Sequence, residues 1–115
     1  MEIHGKLIII GGAVDKGSFS ETNLDQNAAK NLNFFEEGIL KRIINESKNK
    51  ELSRIEVITT ASKIPREIGP EYVKAFSYLG ANNVDVLYIE RREQASESEI
   101  LERLKAADVV MFTGG

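Results

Sequence analysis

Few residues in this chain have the types and spacing that chemistry requires, and most of them follow short apolar runs. Leu7-Ile8-Ile9-Ile10 ends in Gly11-Gly12, and Val109-Val110-Met111-Phe112-Thr113 ends in Gly114-Gly115. Backbone amides at a strand end can donate to an oxygen that gains charge during acyl transfer, and glycine lets a reacting group come close. Gly114 and Gly115 are therefore oxyanion-hole candidates, with a plain turn after a strand as the competing reading. Gly11, Gly12, Asp15, Lys16, Ser62 and Arg91 are candidates for the rim of the same site. Asp15-Lys16 also reads as a surface pair ordering its loop, Ser62 as a loop cap, and Arg91-Arg92 as a solvated turn that could attract a carboxylate.

A hydrolase using a serine needs a nucleophile, a base, an orienting acid and an oxyanion hole. The sole histidine, His4, precedes the first apolar run and falls at the wrong end of a strand, which makes it a bystander. No Gly-x-Ser-x-Gly elbow exists; Gly17-Ser18-Phe19-Ser20-Glu21 is the nearest approach and lies in a polar stretch. No catalytic triad is expected within these residues. One histidine, no cysteine and no paired acidic spacing give a metal nothing to bind, and no cofactor is expected.

The elements that must position these residues follow from periodicity. Residues 6–10 read as a strand buried on both faces. A long polar segment, 13–32, follows, with a helical turn or two at 24–30. A helix starts near Asn33, capped by it with Glu36 three residues on, and places Phe35, Ile39 and Ile43 on one stripe beside Leu32, Leu40 and Ile44, with Gly38 inside the helix. A second strand at 54–59 runs into Thr60-Ala61-Ser62. Pro70 opens a helix with Tyr72, Val73, Phe76 and Leu79 inward, ended by Gly80. A third strand spans 84–89. Ser96 and Glu99 form a capping box for a helix carrying Ile100, Leu101, Leu104 and Ala107, and a fourth strand spans 109–113.

The order βαβαβαβ implies an α/β fold: a parallel sheet with helices on both faces, incomplete, with about four strands present. A buried-looking last strand without a covering helix leads to the expectation that residues 1–115 are the amino-terminal part of a larger α/β domain. The chain has 115 residues and a net charge of -3, which argues against a nucleic-acid partner. No apolar run is long enough to span a bilayer, no export signal opens the chain, and the absence of cysteine suits a reducing compartment, so a cytoplasmic location is expected.

The opening, Gly5 to Lys16, resembles the start of cyanophycinases, serine peptidases related to dipeptidase E. Ile55 to Ser62, then Tyr72, Phe76 and Leu79-Gly80, then Ala107-Asp108 with Phe112-Thr113-Gly114-Gly115, resemble further family segments in the same order. Val14 departs from the pattern, which has an acidic residue before the Asp-Lys pair. The resemblance implies a flavodoxin-like, class I glutamine amidotransferase-like sheet. It implies hydrolysis of cyanophycin to β-aspartyl-arginine dipeptides, with the serine, histidine and acid lying beyond Gly115. The isolated 115 residues would then be inactive. The implied partner is a peptide or cyanophycin-like substrate, and the oligomeric state stays open, a homodimer being the candidate. The alternative is a small nucleotide- or ligand-binding module without catalysis. Against it, Gly11-Gly12 lacks a full G-x-G-x-x-G. A response-regulator switch is excluded, since no central strand ends in an acidic residue.

Overall fold

The computed structural model describes residues 5–11, 16, 34, 35 and 38–114. The readings that rest on His4, Gly12, Asp15, Gly115, the Asn33–Glu36 cap and the segment 17–33 lie outside these residues.

Three parallel strands form the sheet: β1 (Ile55–Ile58), β2 (Val84–Leu87) and β3 (Val109–Phe112), in the order β2-β1-β3. Ile55 lies opposite Val84 on one side and Val109 on the other, and Ile58 lies opposite Leu87 and Phe112. The helices are α1 (Ile39–Glu46), α2 (Pro65–Tyr78) and α3 (Ser98–Ala106). Strand side chains alternate between faces. Ile55, Val57 and Met111 pack with Leu40, Ile43 and Ile44 of α1 and with Tyr72, Ala75 and Phe76 of α2. Ile58 and Leu87 point the other way and pack with Ile100 of α3. This is an α/β fold with helices on both faces of an open parallel sheet.

The expected fourth strand is corrected. Residues 6–10 pair with no strand, and Leu7 and Ile9 are 86% and 87% exposed rather than buried on both faces. Lys6 is tied to the end of α1 by an ion pair with Glu46 at 2.6 Å, and Ile10 touches the core. Between this run and the open edge of β3 lies a cleft of about 570 Å³, walled by Leu7, Ile8, Ile10 and residues 108–112. β3 itself is less buried than its sequence implies. Phe112 is 73% exposed because α3 covers β1 and β2 but not the same face of β3.

Helix boundaries also moved. Gly38 is the extended residue before α1, not a position inside it. The inward residues are then Leu40, Ile43 and Ile44, while Ile39 is exposed; ahead of the helix Phe34 is fully buried and Phe35 exposed. α2 begins at Pro65, so Pro70 sits inside it rather than opening it. Pro65 is in the first turn, where a missing N–H costs nothing. Gly69, one turn later, is pressed against the sheet: an added Cβ would lie 2.8 Å from the Tyr88 hydroxyl and 3.0 Å from both Val86 methyls. Gly80 ends α2 with φ +88°, and the Gly80 and Ala81 amides donate to the carbonyls of Ser77 and Phe76. That is a Schellman close, which requires the left-handed conformation glycine tolerates. The Ser96 cap is corrected too. Ser96 ends a 3₁₀ turn (Arg92–Ser96), and Glu97 occupies the cap position of α3 without a side-chain bond. Leu101 faces outward, and Ala107 follows the helix.

Candidate active-site edge

All three strands run the same way, so their carboxyl ends share one edge, where open parallel sheets place their sites. That edge carries Thr59 and Thr60 after β1, Tyr88 to Glu90 after β2, and Thr113 and Gly114 after β3. The Thr113 amide continues the ladder, donating to the Ile58 carbonyl at 3.0 Å. Gly114, one residue on, is exposed, and its N–H has no acceptor among the described residues. A Cβ at Gly114 would meet nothing within 4 Å, and its φ is not in the left-handed region. Glycine is therefore not demanded here by a tight turn; what it leaves is open space before a free donor. Gly11 is likewise exposed with nothing near its Cβ position.

The other rim candidates are spread along the edge. Ser62 accepts a hydrogen bond from the Ile64 amide at 3.1 Å, closing the turn that leads into α2, and among the described residues it has no base beside it. The Lys16 ammonium stands 5.3 Å above the Tyr72 ring, on the α2 side of the sheet. Burial pushes the Tyr72 phenol above its usual pKa, with Glu71 adding to the effect. Arg91 is exposed, and its amide donates to the Gln94 side chain. Its neighbour Glu90 is engaged instead by Arg66, whose Nε and Nη2 donate to Glu90 Oε1 at 3.1 and 2.9 Å. The structure thus gathers Ser62 and Arg91 on the same edge as Gly114, without direct contact among them.

Sequence reasoning missed two residues here. The hydroxyls of Thr59 and Thr113 are buried and have no hydrogen-bond partner among the described residues. By continuation of the ladder the two threonines lie opposite one another, on the face that carries α1 and α2. A signal was available: both threonines end strands, and the parity that points Val57 and Met111 inward points them inward as well.

Asp108, part of the Ala-Asp motif, works at the opposite edge. Its Oδ2 accepts from the Arg54 amide at 2.9 Å and from Asn49 Nδ2 at 3.1 Å, joining the start of β3 to the start of β1. The Arg54 amide, then Asn49, hold its carboxyl below the ordinary value of 3.8. A carboxylate with a lowered folded-state pKa contributes stability above its unfolded value, and that contribution is lost as pH falls through the folded value. Urea midpoints measured from about pH 5 down to about pH 2 should therefore fall less steeply in Asp108→Asn than in the unaltered chain. Equal acid slopes in the two proteins would show that the bonds do not couple to folding.

Among the described residues no group of three His, Cys, Asp or Glu side chains is gathered as a metal ion would need, and no helix is long and apolar enough to cross a membrane.

No family model matches the chain. Three curated proteins named cyanophycinase are similar to it. Those of Trichormus variabilis and Nostoc sp. are 39% identical over 61 residues, and that of Geminocystis herdmanii is 34% identical over 61 residues. Each match covers 53% of this chain but only 20 to 22% of the relative. The chain thus resembles cyanophycinases, and its match spans about one fifth of their length.

Proposed function

We propose that this chain forms the amino-terminal part of a cyanophycinase-like serine peptidase domain that cleaves cyanophycin to β-aspartyl-arginine dipeptides. The similarity to three cyanophycinases carries this reading. The geometry supports it at two places. A free N–H at Gly114, on the carboxyl edge of a parallel sheet, is suited to an oxyanion, since a preformed donor there strengthens its bond as charge develops. The open edge of β3, with Phe112, Leu7 and Ile9 exposed around it, suits a sheet that continues.

In this reading the chain supplies three strands and the oxyanion-side glycines Gly114 and Gly115, while the serine, histidine and acid come from sequence beyond Gly115. Gly115, Gly11, Gly12, Asp15, Lys16, Ser62 and Arg91 remain proposed parts of the hole and rim.

Reading the gene past Gly115 and assaying both proteins on cyanophycin tests this. The 115-residue chain should release no dipeptide, and a protein extended through a Gly-x-Ser-x-Gly elbow and a histidine should release it. Dipeptide release by the short chain would refute the division of labour. A stop codon directly after Gly115 would remove the peptidase reading itself.

A further inference from the structure

The open edge of β3 has both unmet backbone groups and exposed apolar side chains. The Val109 and Thr113 amides donate to the carbonyls of Arg54 and Ile58, at the two ends of β1, at 3.1 and 3.0 Å. Backbone groups alternate sides along a strand, so the N–H and C=O groups of Val110 and Phe112 point to the open edge. Their amides have no acceptor among the described residues. β3 reads Val-Val-Met-Phe, with none of the lysine, proline or inward charge by which edge strands usually avoid pairing. Phe112 is 73% exposed and Val110 39%, and Leu7 and Ile8 in the facing wall of the cleft are open too. The run 6–10 does not take the edge. Lys6 is tied to Glu46 of α1 and Ile10 packs on the α1–α2 core, so the run stands across the cleft of about 570 Å³.

What covers such an edge must offer backbone groups in register and apolar side chains beside them. A second β3 offers both. Set antiparallel about a twofold axis at Met111, Val110 of each copy lies opposite Phe112 of the other. Each such pair exchanges both N–H···O=C bonds, so the Val110 and Phe112 amides of both copies gain acceptors. The Val110–Phe112 pairs are of the aromatic and β-branched kind that stabilises neighbouring strands, and they lie on the face that α3 leaves open. Leu7, Ile8, Ile9, Val110 and Phe112 expose roughly 500 Å² of apolar surface around the edge, at the upper end of what a monomer shows in one patch. Two copies together reach the roughly 1,000 Å² that a specific interface needs. We infer that this chain forms a symmetric dimer through β3, each sheet continuing into that of the second copy. The inference does not rest on the peptidase reading. In a longer protein a strand that continues the sheet would take the same edge, so the pairing belongs to the 115-residue chain.

In sedimentation equilibrium the mass of the 115-residue chain should rise with concentration to twice that of one copy and stop there, because a contact between identical patches closes on itself. In the dimer, the Val110 and Phe112 amides should exchange with solvent at least about tenfold more slowly than in dilute samples. Val110→Lys sets a charge on the edge and should weaken dimerisation at least about tenfold, whereas Val110→Thr, still β-branched and uncharged, should leave it nearly unchanged. Slow exchange of the Val57 amide, in the central strand, verifies that both variants fold. A chain that stays monomeric at every concentration would overturn the inference. So would a dimer whose Val110 and Phe112 amides stay unprotected, or one that Val110→Lys leaves intact. Association that runs past two copies would rule out the closed pairing. None of these readouts involves cyanophycin cleavage, so the dimer and the peptidase reading fail separately.

Discussion

Replacing Arg103 with Met should destabilise the chain by about 3 kcal/mol, a large part of the roughly 5–15 kcal/mol that holds an ordinary domain together. Glu56 sits in the middle of β1, the central strand, and is fully buried. Its carboxylate survives there because two arginines share it. Arg54 Nη2 donates to Oε1 at 2.7 Å, and Arg103 donates through Nε to Oε1 at 3.2 Å and through Nη2 to Oε2 at 2.7 Å. Glu56, through that hydrogen bond, raises Arg103 above its usual pKa. The same guanidinium lies 3.4 Å from Asp85 on β2, so one side chain of α3 reaches both strands beneath it. Without Arg103, Oε2 has no partner, and a buried charge keeps only half its compensation. The apolar contact of α3 with the sheet is small, centred on Ile100 with Leu104 beside it, so the helix also loses much of what seats it.

The double variant Glu56→Leu with Arg103→Met should recover most of that loss, because removing a buried pair entirely is far cheaper than breaking it. Urea midpoints for the two single variants and the double variant give the coupling directly. A single-variant loss below about 1 kcal/mol would mean that Arg54 alone satisfies the carboxylate.

In the extended peptidase, Gly114→Pro should lower kcat by about 10²–10³-fold, the usual consequence of deleting one oxyanion-hole donor. Proline removes the N–H, which no acceptor among the described residues takes; it also fixes φ at this position and restricts Thr113, so retained folding of the variant is checked alongside its rate. Gly114→Ala separates the donor from the residue type. It keeps the N–H and adds a methyl where nothing lies within 4 Å, so its rate should fall far less. Equal losses in the two variants would make glycine itself, rather than the amide, the requirement. Unchanged kcat in both would move the oxyanion hole elsewhere.

Both experiments concern features that differ in how far the sequence reveals them. Val57-Ile58, Val84 to Leu87 and Val109 to Phe112 read as strands because they are short, valine- and isoleucine-bearing apolar stretches set between turn signals. Gly80 announces the end of α2, because only a left-handed residue closes that helix. The alternation of strands and helices was enough for a parallel sheet with two covered faces. Gly114 was legible as a candidate, for a strand followed by glycine exposes amides wherever it occurs.

Tertiary structure alone decided the rest. Residues 6–10 have the pattern of a buried strand, yet a strand needs a partner edge and two covered faces. Here the run stands off β3 across a cleft. Phe112 reads as core and is exposed, since burial belongs to what packs on a face and α3 does not reach that far. Glu56 is a charged residue in the middle of a strand and is fully buried, the most enclosed charge among the described residues. Arg103, 47 positions later, cannot be matched to it until the crossover brings α3 over the sheet. Thr59 and Thr113 read as ordinary strand ends, and only the assembled face shows that their hydroxyls have no partner among the described residues. Periodicity is local and so is written in the chain; which face is covered, and which polar group is left wanting, depend on neighbours the chain supplies from far away.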